Sequence, residues 1–119
     1  MENGIADKSL AFAIRTVKIY QHLSGQKKEF VLSKQLLRSG TAVGALVREA
    51  EHAQSKADFL NKMNIALKEA NETLYWLILL KETNYILNEE YSSIYKEAEE
   101  LVKILVAIVK TTKQKLNRS

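Results

Sequence analysis

The chain has no cysteine and no proline, only four glycines, and only two histidines in 119 residues. Without cysteine there are no disulfides and no thiolate metal sites, a composition that suits a reducing compartment. Without proline, and with so little glycine, an all-β chain would lack its turn residues, whereas long uninterrupted helices meet no breaker. The longest apolar run, Leu74 to Leu80, is far short of the ~20 residues a membrane span requires. Glu2 and Asp7 stand where a secretory signal needs a basic start and then an apolar stretch, so the expectation is a protein that is not exported. What is present is ordinary for one globular domain: 46% hydrophobic residues, 27% charged residues and a mass of 13.5 kDa.

Punctuation and period predict four helices in a single domain spanning 1–119. The first runs over about 8–24, capped by Asp7 and stopped by Gly25, with Leu10, Ala13, Ile14, Val17, Tyr20 and Leu23 as its apolar stripe. The second covers about 29–53 with Leu36, Gly40, Val43, Val47 and Ala50 inward. Gly40 and Gly44 each cost a helix ~1 kcal/mol relative to alanine, which points to a neighbouring helix approaching closely there. Ser55 with Asp58 resembles a capping box and opens a third helix over about 55–84, its seam being Phe59, Met63, Ala66, Ala70, Thr73, Leu77 and Leu80. Asn88, Glu89 and Glu90 suit the start of a fourth, about 88–116, with Tyr91, Ile94, Ala98, Leu101, Leu105, Ile108 and Thr112 on one face. Short connections between long helices force antiparallel neighbours, so the expected fold is an all-α, up-down-up-down four-helix bundle.

The apolar faces are wider than one bundle core needs. Tyr75, Trp76, Ile78 and Leu79 surround the third helix outside its seam, and Ile104, Val106 and Ala107 do the same on the fourth. Such surface marks self-association, with these residues as the oligomer interface; the competing reading folds Tyr75 and Trp76 over the bundle edge as amphipathic covers. The net charge is +4, and the fourth helix is acidic early, at Glu89, Glu90, Glu97, Glu99 and Glu100, then purely basic at Lys103, Lys110, Lys113, Lys115 and Arg118. Part of this segregation complements the helix dipole. In an antiparallel bundle, however, Lys110, Lys113, Lys115 and Arg118 join Lys8, Arg48, Lys56 and Lys62 at one pole, a surface suited to phosphate backbones.

Enzyme chemistry finds no support in the sequence. Glu49-x-x-His52 has the spacing of a bundle metal motif, but it occurs once, and the other histidine, His22, belongs to no second copy. Glu69 and Glu72 share a helix face and are placed to pair with Lys68 or Lys62, with no nucleophile, base and orienter gathered as a set. Gly40 and Gly44 lack the strand-to-helix setting of a phosphate loop. No cofactor, metal, membrane or small-molecule substrate is expected.

The segments Gln35–Leu37, Arg38-Ser39-Gly40-Thr41, Val43-Gly44, Arg48-Glu49-Ala50, Ser55 to Phe59, Ile65 to Ala70, Glu72-Thr73 and Tyr75-Trp76-Leu77 resemble the core pattern of the bacterial 23S rRNA intervening-sequence proteins. The resemblance covers roughly residues 8–110 and departs at Ala42, where the family more often has Ser, and at Leu46, where it more often has Asn. It implies a cytoplasmic bacterial four-helix bundle that forms a ring-like homo-oligomer, most often a pentamer. A related branch contains the basic accessory proteins of diversity-generating retroelements, which associate with a reverse transcriptase and nucleic acid. The resemblance and the charge together lead to a non-catalytic accessory that binds RNA or a protein–RNA complex; the alternative is an oligomeric interaction scaffold without nucleic acid.

Overall fold

The structure, a computed structural model, describes residues 4–118. Four helices follow one another, α1 (Ile5–Gly25), α2 (Leu32–Glu51), α3 (Lys56–Glu82) and α4 (Asn88–Asn117), and no strand occurs among the described residues. Each helix runs antiparallel to its chain neighbour, and α4 closes the square against α1, the lightest of the four seams. The bundle measures 52 × 21 × 20 Å, its long axis set by α4, whose 30 residues rise ~45 Å.

Local chemistry fixes the ends. At α3 the Ser55 hydroxyl accepts the Asp58 N–H at 3.0 Å while the Asp58 carboxylate accepts from the Gln54 N–H at 3.3 Å, the reciprocal box that the sequence suggests. The start of α2 differs from expectation. Glu29 lies before the helix rather than inside it, and its buried carboxylate accepts N–H groups from Ser33 at 2.7 Å, Leu32 at 3.1 Å and Val31 at 3.2 Å. Burial alone would raise the Glu29 pKa; the donors from Ser33, Leu32 and Val31 outweigh it and hold the group below its ordinary 4.5. Gly25 is the last residue of α1 and is not left-handed; that conformation falls to Lys28, at φ 58°, in the loop, and to Asn84, at φ 67°, after α3. Tyr85 N–H then reaches back to the Leu80 carbonyl at 2.9 Å, which closes α3 in a Schellman arrangement. Asp7 sits in the first turn of α1 rather than capping it, and Leu87, not Asn88, occupies the N-cap of α4 without a side-chain bond.

The core faces of α2 and α3 are those read from the apolar period, from Leu36 to Ala50 and from Met63 to Leu80. On α4, Val109 takes the buried place expected of Ile108, which is only half-buried. Helix α1 is turned relative to the expectation. Its buried residues are Ile5, Ser9, Phe12, Thr16, Ile19 and Leu23, while Leu10, Ile14 and Val17 of the expected stripe face solvent. The cause is the approach of α2: a Cβ at position 40 would lie 2.7 Å from Thr16 Cγ2, and one at position 44 would lie 3.3 Å from the Ser9 carbonyl oxygen. At that separation only small side chains fit between the helices, so Ser9 and Thr16 occupy the seam, and Leu10 and Ile14 rotate outward. The buried hydroxyls bond to their own helix, Ser9 to the Ala6 carbonyl and Thr16 to the Ala13 carbonyl. Across the α2–α3 seam the Ser39 and Thr73 hydroxyls share a 2.9 Å hydrogen bond. No buried side-chain polar atom among the described residues lacks a partner.

Two stability outcomes follow. Gly40→Ala gains about 1 kcal/mol of helix propensity but overpacks the seam by about 1–3 kcal/mol, giving a net loss near 1 kcal/mol. Thermal unfolding should show a fall of about 4 °C, and adding Thr16→Ser, which removes the obstructing methyl, should restore most of it; an unchanged midpoint in Gly40→Ala would contradict the close contact. Glu29→Gln should cost about 1.5 kcal/mol at pH 7. Because the Glu29 pKa is depressed on folding, its contribution is complete above the ordinary 4.5 and is lost as pH falls through the folded value. Urea midpoints of parent and variant should therefore converge at acid pH.

Candidate functional site

The basic residues singled out in the sequence divide into two groups. Lys8 is tied to Glu100 at 2.9 Å across the α1–α4 seam, and Lys62 to Glu49 at 3.3 Å between α3 and α2. Arg15, also on α1, adds a second bridge to Glu97 at 2.8 Å. Arg48, Lys56, Lys110, Lys113 and Arg118 are exposed and have no ion pair among the described residues; Lys115 is exposed beside them on α4. Since α4 runs antiparallel to α3, its last turns lie at the same end of the bundle as Lys56, the end where α2 finishes with Arg48. After Glu100 no acidic residue follows on α4, so these turns present positive charge alone.

The apolar residues expected at an oligomer interface also divide. Tyr75, Ile78 and Val106 are exposed, whereas Trp76 and Ile104 are half-buried against the core and Leu79 is half-buried. Trp76 stands edge-on to Tyr75 with ring centroids 5.1 Å apart and donates its indole N–H to Glu72 at 3.3 Å, the geometry of an amphipathic cover. A second exposed apolar face lies elsewhere. On α1, Leu10 is 60% exposed, Ile14 50% and Val17 36%, at the i, i+4, i+7 spacing of one helix side. Beside them, a groove of about 350 Å³ runs between α1 and α2, floored by Ala6, Ala13, Gly44 and Ala45 and edged by Asp7, Arg48 and Glu51. Sequence reasoning missed this face because it assigned the same residues to the core. The signal was the pair of glycines on α2, which places small residues, not large ones, opposite them on α1.

The carboxylates are engaged structurally. Arg38 of α2 binds Glu69 at 2.9 Å and Glu72 at 2.6 Å on α3, and its Nε donates to Gln35 at 3.2 Å. Glu69 and Glu72 thus pair with Arg38 rather than with Lys68 or Lys62, because the α2–α3 register brings the guanidinium between them. The hydrogen bond from Arg38 is the main cause that lowers the Glu72 pKa, burial opposing it. Glu49 is occupied by Lys62, and His52 is the exposed C-cap of α2. No group of three or more His, Cys, Asp or Glu residues able to hold a metal ion occurs among the described residues. No helix among them is long and apolar enough to cross a membrane.

Comparison with known proteins adds the lineage. A crystal structure at 1.70 Å resolution of a protein of unknown function from the S23 ribosomal protein family, from Bacteroides thetaiotaomicron, superposes with a TM-score of 0.88 at 59% identity. The match covers 89% of this chain and 98% of that one. A comparison with curated proteins finds no match. The sequence pattern of the family described as 23S rRNA-intervening sequence protein matches residues 1–107, which contain α1, α2, α3 and the first two thirds of α4. By that match, and by the identity to the Bacteroides structure, the chain belongs to the 23S rRNA-intervening sequence protein family.

Proposed function

We propose that the chain is a non-catalytic accessory that self-associates and binds RNA, alone or within a protein–RNA complex, through the basic end of α4. The observation that carries this reading is the exposure of Lys110, Lys113, Lys115 and Arg118 on the last turns of a helix with no acid after Glu100. Lys56 and Arg48 extend the same pole, while Lys8 and Lys62, paired with Glu100 and Glu49, contribute less. Contacts of this kind go to phosphates, which position the nucleic acid without reading its bases. Affinity for a single-stranded oligoribonucleotide should fall as salt rises, with a log–log slope of ~0.7–0.9 per neutralised phosphate. Replacing Lys110, Lys113, Lys115 and Arg118 by Ala should flatten that slope; equal binding by parent and variant would remove the basis for the reading.

Self-association is supported by the exposed α1 face and the groove beside it, and by Tyr75, Ile78 and Val106 on the α3–α4 side. Two apolar faces on different sides of one bundle suit a head-to-tail contact, which closes into a ring when the rotation between copies allows it; the pentamer of the family resemblance is the proposed form. Size exclusion with light scattering should give several times 13.5 kDa. The double variant Leu10→Glu and Ile14→Glu should reduce the particle to a single chain, because an unpaired charge in an interface centre is poorly tolerated. A monomeric parent at micromolar concentration would reject this part. The same two faces favour a second reading, an interaction scaffold without nucleic acid, which an oligomeric parent with no RNA affinity at low salt would establish.

A further inference from the structure

The tip of the α1–α2 hairpin combines three features that bear on what it presents to solvent. Lys27, Lys28 and Lys34 are exposed within eight residues of chain, and none has an ion pair among the described residues. Phe30, at 54%, and Val31, at 71%, are among the most exposed large apolar side chains of the molecule, although they adjoin a loop that could have carried polar residues. The one acid of the segment, Glu29, is turned inward, its carboxylate consumed by the N–H groups that open α2. A sequence that reads as Lys-Lys-Glu-Phe therefore presents only cations and an aromatic ring to solvent.

Lys28 strengthens the point. It holds φ at 58°, a region where glycine or asparagine is at ease and lysine is strained. The turn that closes α1 holds this conformation, the Glu29 N–H bonding the Leu23 carbonyl at 2.9 Å, and backbone strain beside exposed aromatic surface is a combination that binding loops use. The acids at this end of the bundle, Glu82, Glu89 and Glu90, belong to the α3–α4 hairpin, so the end is divided into a basic and an acidic half.

We infer that the α1–α2 hairpin tip is a second nucleic-acid contact, in which Phe30 stacks on an unpaired base and Lys27, Lys28 and Lys34 hold the flanking phosphates of a single strand. Aromatic rings set among cations are how sequence-tolerant single-strand binders work, since every base offers a face to stack on. A duplex keeps its bases stacked inside and offers Phe30 nothing. The inference rests on the nucleic-acid reading of the chain but not on the α4 residues assigned to it, because the tip and the end of α4 lie at opposite poles.

The test is anisotropy titration of a labelled single-stranded uridine 20-mer with the full chain, alongside the matched duplex. Phe30→Ala should weaken single-strand binding about tenfold with the salt slope unchanged, because stacking displaces no counterions, and should leave duplex binding as it was. Lys27→Ala with Lys28→Gly, which keeps the left-handed backbone accessible, should instead flatten the slope by about two phosphates. Ultraviolet crosslinking to the uridine strand should place the modified residue at Phe30. Equal binding by Phe30→Ala and parent overturns the inference, as does a Phe30→Ala variant whose only change is a smaller assembly, which would make the tip a contact between proteins. If the α4 variant binds like the parent while Phe30→Ala does not, the α4 assignment fails and the hairpin site stands.

Discussion

The contact between α1 and α2 at Gly40 and Gly44 governs the rest of the molecule. With Thr16 and Ser9 pressed against glycine backbone, the two helices approach too closely for leucine or isoleucine to lie between them. The rotation of α1 follows, and with it the division of its apolar residues. Phe12, Ile19 and Leu23 go to the core, while Leu10, Ile14 and Val17 go to the surface. A single steric condition on α2 thus creates both a tight seam and an exposed face beside a shallow groove, one structural and one available to another molecule.

Charge is apportioned by the same fold. Cross-helix ion pairs centred on Lys8, Arg15, Arg38 and Lys62 engage Glu49, Glu69, Glu72, Glu97 and Glu100. Each is worth little by itself at these exposures. Together with the inward turn of Glu29, they take acids out of the outer field, while the cations of the hairpin tip and of the last turns of α4 stay exposed. A modest net charge of +4 becomes two concentrated basic regions at the two ends of a 52 Å rod.

The legible parts of the fold were those governed by short-range rules. Ser55 and Asp58 meet within one turn, and the α2 and α3 seams follow the apolar period, so both could be read directly. The face of α1 could not, because an apolar period ranks residues by size and apolarity, whereas the seam selects for smallness and buries two hydroxyls that satisfy themselves on their own helix. Glu29 was equally opaque: an acid at the start of a helical pattern looks like a first-turn residue, and only the loop geometry shows it folding back as the cap. The Arg38 pairs join residues 31 and 34 positions apart, so they depend on inter-helix register, which a periodic pattern does not specify. The α4 cations are visible as a run in the sequence, but the pairing of Lys8 with Glu100 and of Lys62 with Glu49 depends on the third dimension.

The α1–α4 seam has a consequence for the order in which the molecule opens. It is the lightest of the four contacts, it joins the two ends of the chain, and it is bridged by Lys8–Glu100 and Arg15–Glu97 over a hollow of about 230 Å³ lined by Ala11. The other three seams join helices that are consecutive in the chain and are held by glycine contact, shared hydroxyls or apolar packing. Local opening therefore starts along α1–α4 and divides the bundle into two hairpins, each retaining its own turn. Each hairpin carries half of the core, so the α1–α2 and α3–α4 units are complementary halves of one packed whole, the condition under which identical elements can be exchanged between copies of a chain.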